Sequence, residues 1–185
     1  MWYAGKSEPK DPDALVVPLA DVKLRLSVDY SDDDDMLADI VREATAYVES
    51  YCNIRLAPQT LTSECDGFRD LRRLPDGPVF ADAVKEIGYV DQSGNPQTVD
   101  TGIYSLLLDG LEASIALKAG RVWPINRHGE RIKVKIEAGY GDKLPYEIRA
   151  AIMVRVASVY RGRENAPMGE WSDFDSLLIN FRRGA

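Results

Sequence analysis

The most constraining feature of this chain is a helical repeat between residues 33 and 52. Met36, Leu37, Ile40, Val41, Ala44, Tyr47, Val48 and Tyr51 recur with the α-helical period, which gathers them into one broad apolar stripe. A stripe of that width marks a helix that faces a core. Ser31 and Asp32–Asp35 precede it. A side-chain oxygen from this cluster is expected to cap the helix, with the acids at the positive end of its dipole. The cluster lacks the alternate-residue spacing and central glycine of a calcium loop. The helix should end near Cys52-Asn53, before Pro58.

A second long helix is expected over 145–161, opening at Pro145, where a missing N–H costs nothing. Ile148, Ala151, Ile152, Val156 and Val159 form its stripe, and Met153, Val154 and Ala157 extend apolar surface around it. A helix apolar on most sides is buried or sits at a subunit contact, so Met153, Val154 and Ala157 are candidate ring-contact residues. Tyr47, Val48 and Ile152 are expected in one core joining the two long helices. A short helix, 18–27, starts at Pro18 with Leu19, Val22 and Leu26 on one face.

Between the helices the pattern changes. Residues 59–140 read as a β insertion: Thr60–Thr62, then Val84, Ile87, Tyr89 and Val90, then a turn at Gln92–Pro96. Tyr104–Leu108 and Ser114–Leu117 are placed to pair across Asp109-Gly110, a favoured hairpin dipeptide, or across a wider loop, because Leu111-Glu112 is not strongly strand-like. Arg131–Glu137 alternates apolar and charged residues strictly, as a half-buried antiparallel strand does. The fold class is therefore α+β: a helical core of two long and one or two short helices with an antiparallel β insertion.

The two ends read differently from the middle. Residues 1–16 are expected to be a flexible extension that orders only against a partner; residues 1–14 are polar and carry Pro9 and Pro12. Residues 163–173 read as a loop with Pro167 and Gly169. Phe174, Leu177, Leu178 and Phe181 then form a short amphipathic segment closed by Arg182 and Arg183. Too short to be stable alone, it needs a surface, either a partner's or that of its own domain.

Composition limits the functional classes. The chain has 185 residues and a formal net charge of -7, which fits one domain and argues against a general nucleic-acid binder. Residues 1–50 hold 12 acids and 5 bases, and the remainder holds 18 of each. No apolar run approaches the length of a membrane span, and residues 1–7 do not read as a secretory signal. Cys52 and Cys65 are expected to be free thiols in a protein made in the cytoplasm.

Catalytic signatures are sparse. His128 is the only histidine and lies in Asn126–Glu130, a turn; it reads as a solvated turn residue. One histidine excludes two-histidine zinc patterns, and the cysteines are not at CxxC spacing. There is no GxxxxGK[ST] phosphate loop, GxGxxG fingerprint or GxSxG elbow. Trp123-Pro124 reads as a strand-end packing group. A carboxylate-pair hydrolase remains a formal rival, but nothing selects a pair. No catalytic, cofactor or metal-binding residues are assigned, and no cofactor is expected.

Several segments, in order, resemble the tailed-phage head–tail connector family, also called adaptor or head-completion proteins and often labelled as DNA-packaging proteins. They are Leu19–Leu26 with Asp32–Asp35; Ala44–Tyr51 with Asn53–Leu56; Leu74–Val79 with Ile87–Asp91; Val122-Trp123-Pro124; and Ile132–Ile136 with Ala138–Asp142, Leu144-Pro145 and Ile148–Ile152. The resemblance spans about 17–162, and the ordered set carries it rather than any one motif. It implies a connector domain over 17–162, assembled as a ring, a dodecamer in the particle, beneath the portal of a phage, prophage or gene transfer agent. Such a ring prolongs the DNA channel towards a stopper or tail, with DNA passing without specific binding, and no membrane is involved. It also implies that 163–185 docks on the portal, which makes Phe174, Leu177, Leu178, Phe181, Arg182 and Arg183 candidate portal contacts. Residues 1–14 are extra to the family pattern, and the C-terminal segment has no residue-by-residue match. A DNA-packaging regulator and another neck or tail-terminator protein are the alternatives.

Overall fold

A computed structural model describes residues 1–162 and 173–184. The chain forms two compact units, one from Met1–Pro12 with Pro58–Gly139, the other from Asp13–Ala57 with Tyr140–Ala185. The fold is α+β.

The second unit is helical. Among the described residues its helices are α1 (Leu19–Leu26), α2 (Asp34–Cys52), α3 (Tyr146–Gly162) and α4 (Asp173–Leu178). The stripe on α2 does what its period requires: Leu37, Ile40, Val41, Ala44, Val48 and Cys52 are buried against Ile148, Ala151, Ile152 and Val156 of α3. Tyr47 packs at the edge of this core and stacks on Tyr51, with ring centroids 5.9 Å apart. Asn53, in the left-handed region at φ +53°, stops α2 with its amide donating to the Glu49 carbonyl.

The expected acidic side-chain cap on α2 does not form. The oxygens are engaged elsewhere: Asp34 accepts from Lys23 Nζ at 2.5 Å, and Asp33 accepts from the Tyr160 hydroxyl at 2.6 Å. These bonds tie α1 and the end of α3 to the start of α2.

The first unit holds a five-stranded antiparallel sheet in the order β1-β2-β7-β3-β4 and a separate hairpin, β5-β6. The strands are β1 (Trp2–Pro9), β2 (Gln59–Cys65), β3 (Val84–Val90), β4 (Pro96–Thr98), β5 (Tyr104–Asp109), β6 (Glu112–Leu117) and β7 (Ile132–Ala138). On β7, Ile132, Val134, Ile136 and Ala138 are buried while Lys133 and Lys135 are exposed. In the hairpin Asp109 pairs with Glu112, so the loop is the tight one, Gly110-Leu111, with Gly110 at φ +60°.

The expected flexible extension is corrected by β1. Residues 2–9 pair with β2 along the sheet edge, and Trp2 Nε1 donates to the Asp70 and Arg73 carbonyls at 3.1 and 2.8 Å. A register shift lies between Tyr3 and Lys6. Within it Gly5 runs so close to β2 that a Cβ there would sit 2.3 Å from Ser63 Oγ. Only glycine allows that approach.

Candidate interaction surfaces

Groups able to do chemistry are dispersed. Among the described residues no three His, Cys, Asp or Glu side chains gather as metal ligands, and no helix is long and apolar enough to cross a membrane. His128 is exposed in its turn. Cys52 and Cys65 are free and buried, and burial pushes each thiol up to about 11, which leaves them protonated and unreactive at neutral pH. Three surfaces stand out as candidates for contact with other molecules.

The first is the outer face of α3. The helix is less buried than its composition implies. Ile148, Ala151, Ile152 and Val156 face the core, whereas Tyr146, Ala150, Val154 and Ser158, at four-residue spacing, are exposed. Of the candidate ring contacts, Val154 lies on this strip, and Met153 and Ala157 are half-buried at its edge.

The second is the C-terminal segment. Its apolar stripe is already covered by its own unit. Phe174 and Leu178 lie in the helical core, and Leu177 and Phe181 pack against it. The Phe174 ring is 5.2 Å from that of Tyr47. The Arg183 amide donates to the Cys52 carbonyl at 2.8 Å, and the Cys52 thiol points to the Leu178 carbonyl. Arg183 is buried, while the Arg182 guanidinium lies 5.1 Å above the Tyr51 ring. Of the two surfaces that the segment can use, its own domain is the one it takes. The outward residues are Ser176, Ile179, Asn180 and Arg182. Of residues 163–173, expected to form a loop, 163–172 lie outside the described residues and Asp173 instead opens α4.

The third is loop 118–131, between β6 and β7, where the sequence singled out Val122-Trp123-Pro124 and the turn Asn126–Glu130. Trp123 turns inward and stacks on Phe68, as a packing group should. Asn126 turns inward as well: its Oδ1 accepts from the Val90 amide at 3.2 Å and its Nδ2 donates to the Glu130 carbonyl at 2.6 Å. Beside these anchors Val122 and Ile125 are held outward, 80% and 69% exposed. Arg121 and Arg127 flank them, and neither makes an ion pair among the described residues. An apolar pair has no local periodicity in a loop, so the sequence carries only a weak trace of it: two aliphatic residues three apart, either side of Trp-Pro.

The remaining broad surface is the outer face of the sheet. Lys6, Lys133 and Lys135 alternate there with Glu8, Glu64 and Glu86 around a shallow polar depression. No single sign dominates.

Residues 17–87 match the profile of the Phage gp6-like head-tail connector protein family.

The structural likeness extends along nearly the whole chain. One similar chain is from the neck of an empty GTA particle computed with C6 symmetry, 20% identical, with a TM-score of 0.75 over 96% of this chain and 95% of that one. Another is from the neck of a native GTA particle computed with C12 symmetry, 22% identical, TM-score 0.75, covering 97% and 95%. A third is from the virion of a native gene transfer agent particle, 22% identical, TM-score 0.73, covering 95% and 94%. No curated protein matches the chain. At these identities the likeness shows a shared fold, and the family match covers α1, α2, β2 and the start of β3. Together they bear out the resemblance carried by the ordered segments.

Proposed function

We propose that this chain is a non-enzymatic adaptor subunit of the neck of a tailed phage or phage-like particle. It assembles as a ring between the portal and the tail or stopper and prolongs the DNA channel. The observation that carries this reading is the fold shared with two GTA neck chains along at least 95% of both lengths, joined to the head–tail connector match over 17–87. A dodecamer on the portal is the expected assembly, and heterologous interfaces that close are what such a ring needs.

Charge supports an unobstructed channel. The helical unit carries 16 acids against 11 bases and the β unit 14 against 12. Each phosphate neutralised by a protein cation adds salt-sensitive affinity and hence drag on moving DNA; net acidity avoids it. The DNA-packaging regulator is disfavoured by the mixed face of the sheet, which offers no basic groove.

The outer strip of α3, with Met153, Val154 and Ala157, is proposed as part of the ring contact. Portal docking by 174–183 is proposed in altered form. Phe174 and Leu178 serve the core, so Ile179, Asn180 and Arg182 are the residues presented to the portal.

Deleting the gene in a particle-producing strain tests the reading. Electron microscopy should show packaged capsids without attached tails, restored by the gene in trans. Fully tailed particles from the deletion strain would overturn it.

A further inference from the structure

We propose that loop 118–131 docks on segment 24–36 of a second copy of this chain. Val122 and Ile125 pack against Tyr30 and Met36 of that copy, while Arg121 and Arg127 face its Asp29, Asp32 and Asp35. The proposal rests on the ring reading and names surfaces that close the ring.

The donor surface is built rather than incidental. An exposed aliphatic residue on a mobile loop loses conformational freedom when it binds. Here the stacked Trp123, the Asn126 side chain and the Arg127 amide, which donates to the Val90 carbonyl at 2.8 Å, hold the loop before any partner arrives. Pro124 stiffens the link between the two anchors. The most exposed apolar side chains of the loop thus sit next to its anchored positions.

The acceptor surface has the complementary chemistry. Leu24, Tyr30 and Met36 are 81%, 47% and 44% exposed. The bonds of Asp34 to Lys23 and of Asp33 to Tyr160 and Tyr30 fix this segment on α2. Those bonds consume Asp33 and Asp34 but leave Asp29, Asp32 and Asp35 without an ion pair among the described residues. One surface thus offers exposed apolar residues flanked in sequence by the unpaired cations Arg121 and Arg127, the other exposed apolar residues flanked by the unpaired anions Asp29, Asp32 and Asp35 against a single unpaired cation, Arg25. An apolar centre with a charged rim gives affinity from the centre and orientation from the rim. Two different stretches of the chain can meet head to tail, and a heterologous contact of that kind propagates around a ring.

Duplex DNA is the rival occupant, since Lys118, Arg121, Arg127 and Arg131 stand against only Glu130 in the loop. Phosphate contacts are made by cations and hydrogen-bond donors, and Val122 and Ile125 at the centre of the loop have nothing to bury against a phosphate backbone.

Disulfide trapping tests the pairing, in full-length protein both free at high concentration and on isolated portal. Chains carrying Ile125→Cys are mixed with chains carrying Met36→Cys and oxidised; the buried native thiols contribute little background. The cross-linked heterodimer should exceed that from Ile125→Cys mixed with Gln92→Cys, an exposed turn position outside every proposed contact, by at least about tenfold, since only a docked pair has a high effective concentration. Arg121→Glu with Arg127→Glu should abolish the cross-link at low salt, and Asp32→Lys with Asp35→Lys in the other chain should restore it. Cross-linking no better than the Gln92→Cys control, or indifferent to charge reversal, overturns the pairing. If cross-linking fails while the wild-type chain still rings the portal, this pairing falls and the adaptor reading stands; if neither occurs, both fall. Salt-dependent binding of a fluorescent DNA duplex that is lost in Arg121→Glu with Arg127→Glu also overturns it.

Discussion

The indole of Trp123 lies flat on the ring of Phe68, with centroids 4.8 Å apart and planes 3° from parallel. Tyr89 approaches Phe68 edge-on at 6.1 Å, and Tyr104 lies 6.2 Å from Trp123. This cluster joins the turn after β2, strands β3 and β5, and loop 118–131. Trp123→Ala should therefore cost about 2–3 kcal/mol in denaturant melts, less than a fully buried tryptophan because the ring is only half-buried. Trp123→Phe should recover most of it. A loss below about 0.5 kcal/mol for the alanine variant would mean that the stack does not anchor the loop.

The C-terminal segment belongs to the helical core, so shortening the chain has a structural cost. Phe174→Ala and Leu178→Ala should each destabilise the protein by about 2–5 kcal/mol, because both side chains are buried. Deleting 174–185 should reduce helicity by circular dichroism and speed alkylation of Cys52. Ile179→Asp or Arg182→Glu, on the outward side, should change stability by about 0.5 kcal/mol or less while weakening capture by isolated portal. A truncated chain as stable as the full one would contradict the packing of α4.

Ile152 of α3 is fully buried in the core that includes Val48, with Tyr47 packed at its edge. Ile152→Ala should cost about 2–5 kcal/mol by chemical denaturation. A loss below about 0.5 kcal/mol would place the side chain at a surface.

The thiols make stability pH-dependent on the alkaline side. Burial raises Cys52 and Cys65 from 9.0 to about 11, so the unfolded chain ionises first. Their contribution is fully present below about pH 9 and is lost as pH rises through about 11, at most about 3 kcal/mol for each thiol. Stability measured by urea unfolding should fall over that interval, and less steeply in a Cys52→Ala, Cys65→Ala variant than in the parent. Equal slopes would contradict the assignment. At neutral pH both thiols should resist alkylation until the protein unfolds.

The long helices and β7 were legible because a periodic stripe dictates one buried face whatever lies opposite. Strand β1 was not. Its large apolar residues, Trp2 and Tyr3, sit at one end, and the irregularity at Gly5 breaks the alternation that would have marked a strand. The failed cap on α2 depends on partners distant in sequence: Tyr160 is 127 residues from Asp33. The stripe Phe174, Leu177, Leu178, Phe181 looks the same in sequence whether it covers its own domain or another protein, and only packing distinguishes the two. The outward pair Val122 and Ile125 depends on which loop residues turn inward, which Trp123 and Asn126 decide through contacts with Phe68 and Val90.

The adaptor reading is tested most directly by native mass spectrometry of isolated portal mixed with this chain. The account predicts a discrete complex whose added mass is a whole ring of chains, one for each portal subunit, and which persists without DNA. A portal that keeps its own mass at saturating chain, or gains a mass unrelated to its symmetry, would contradict it.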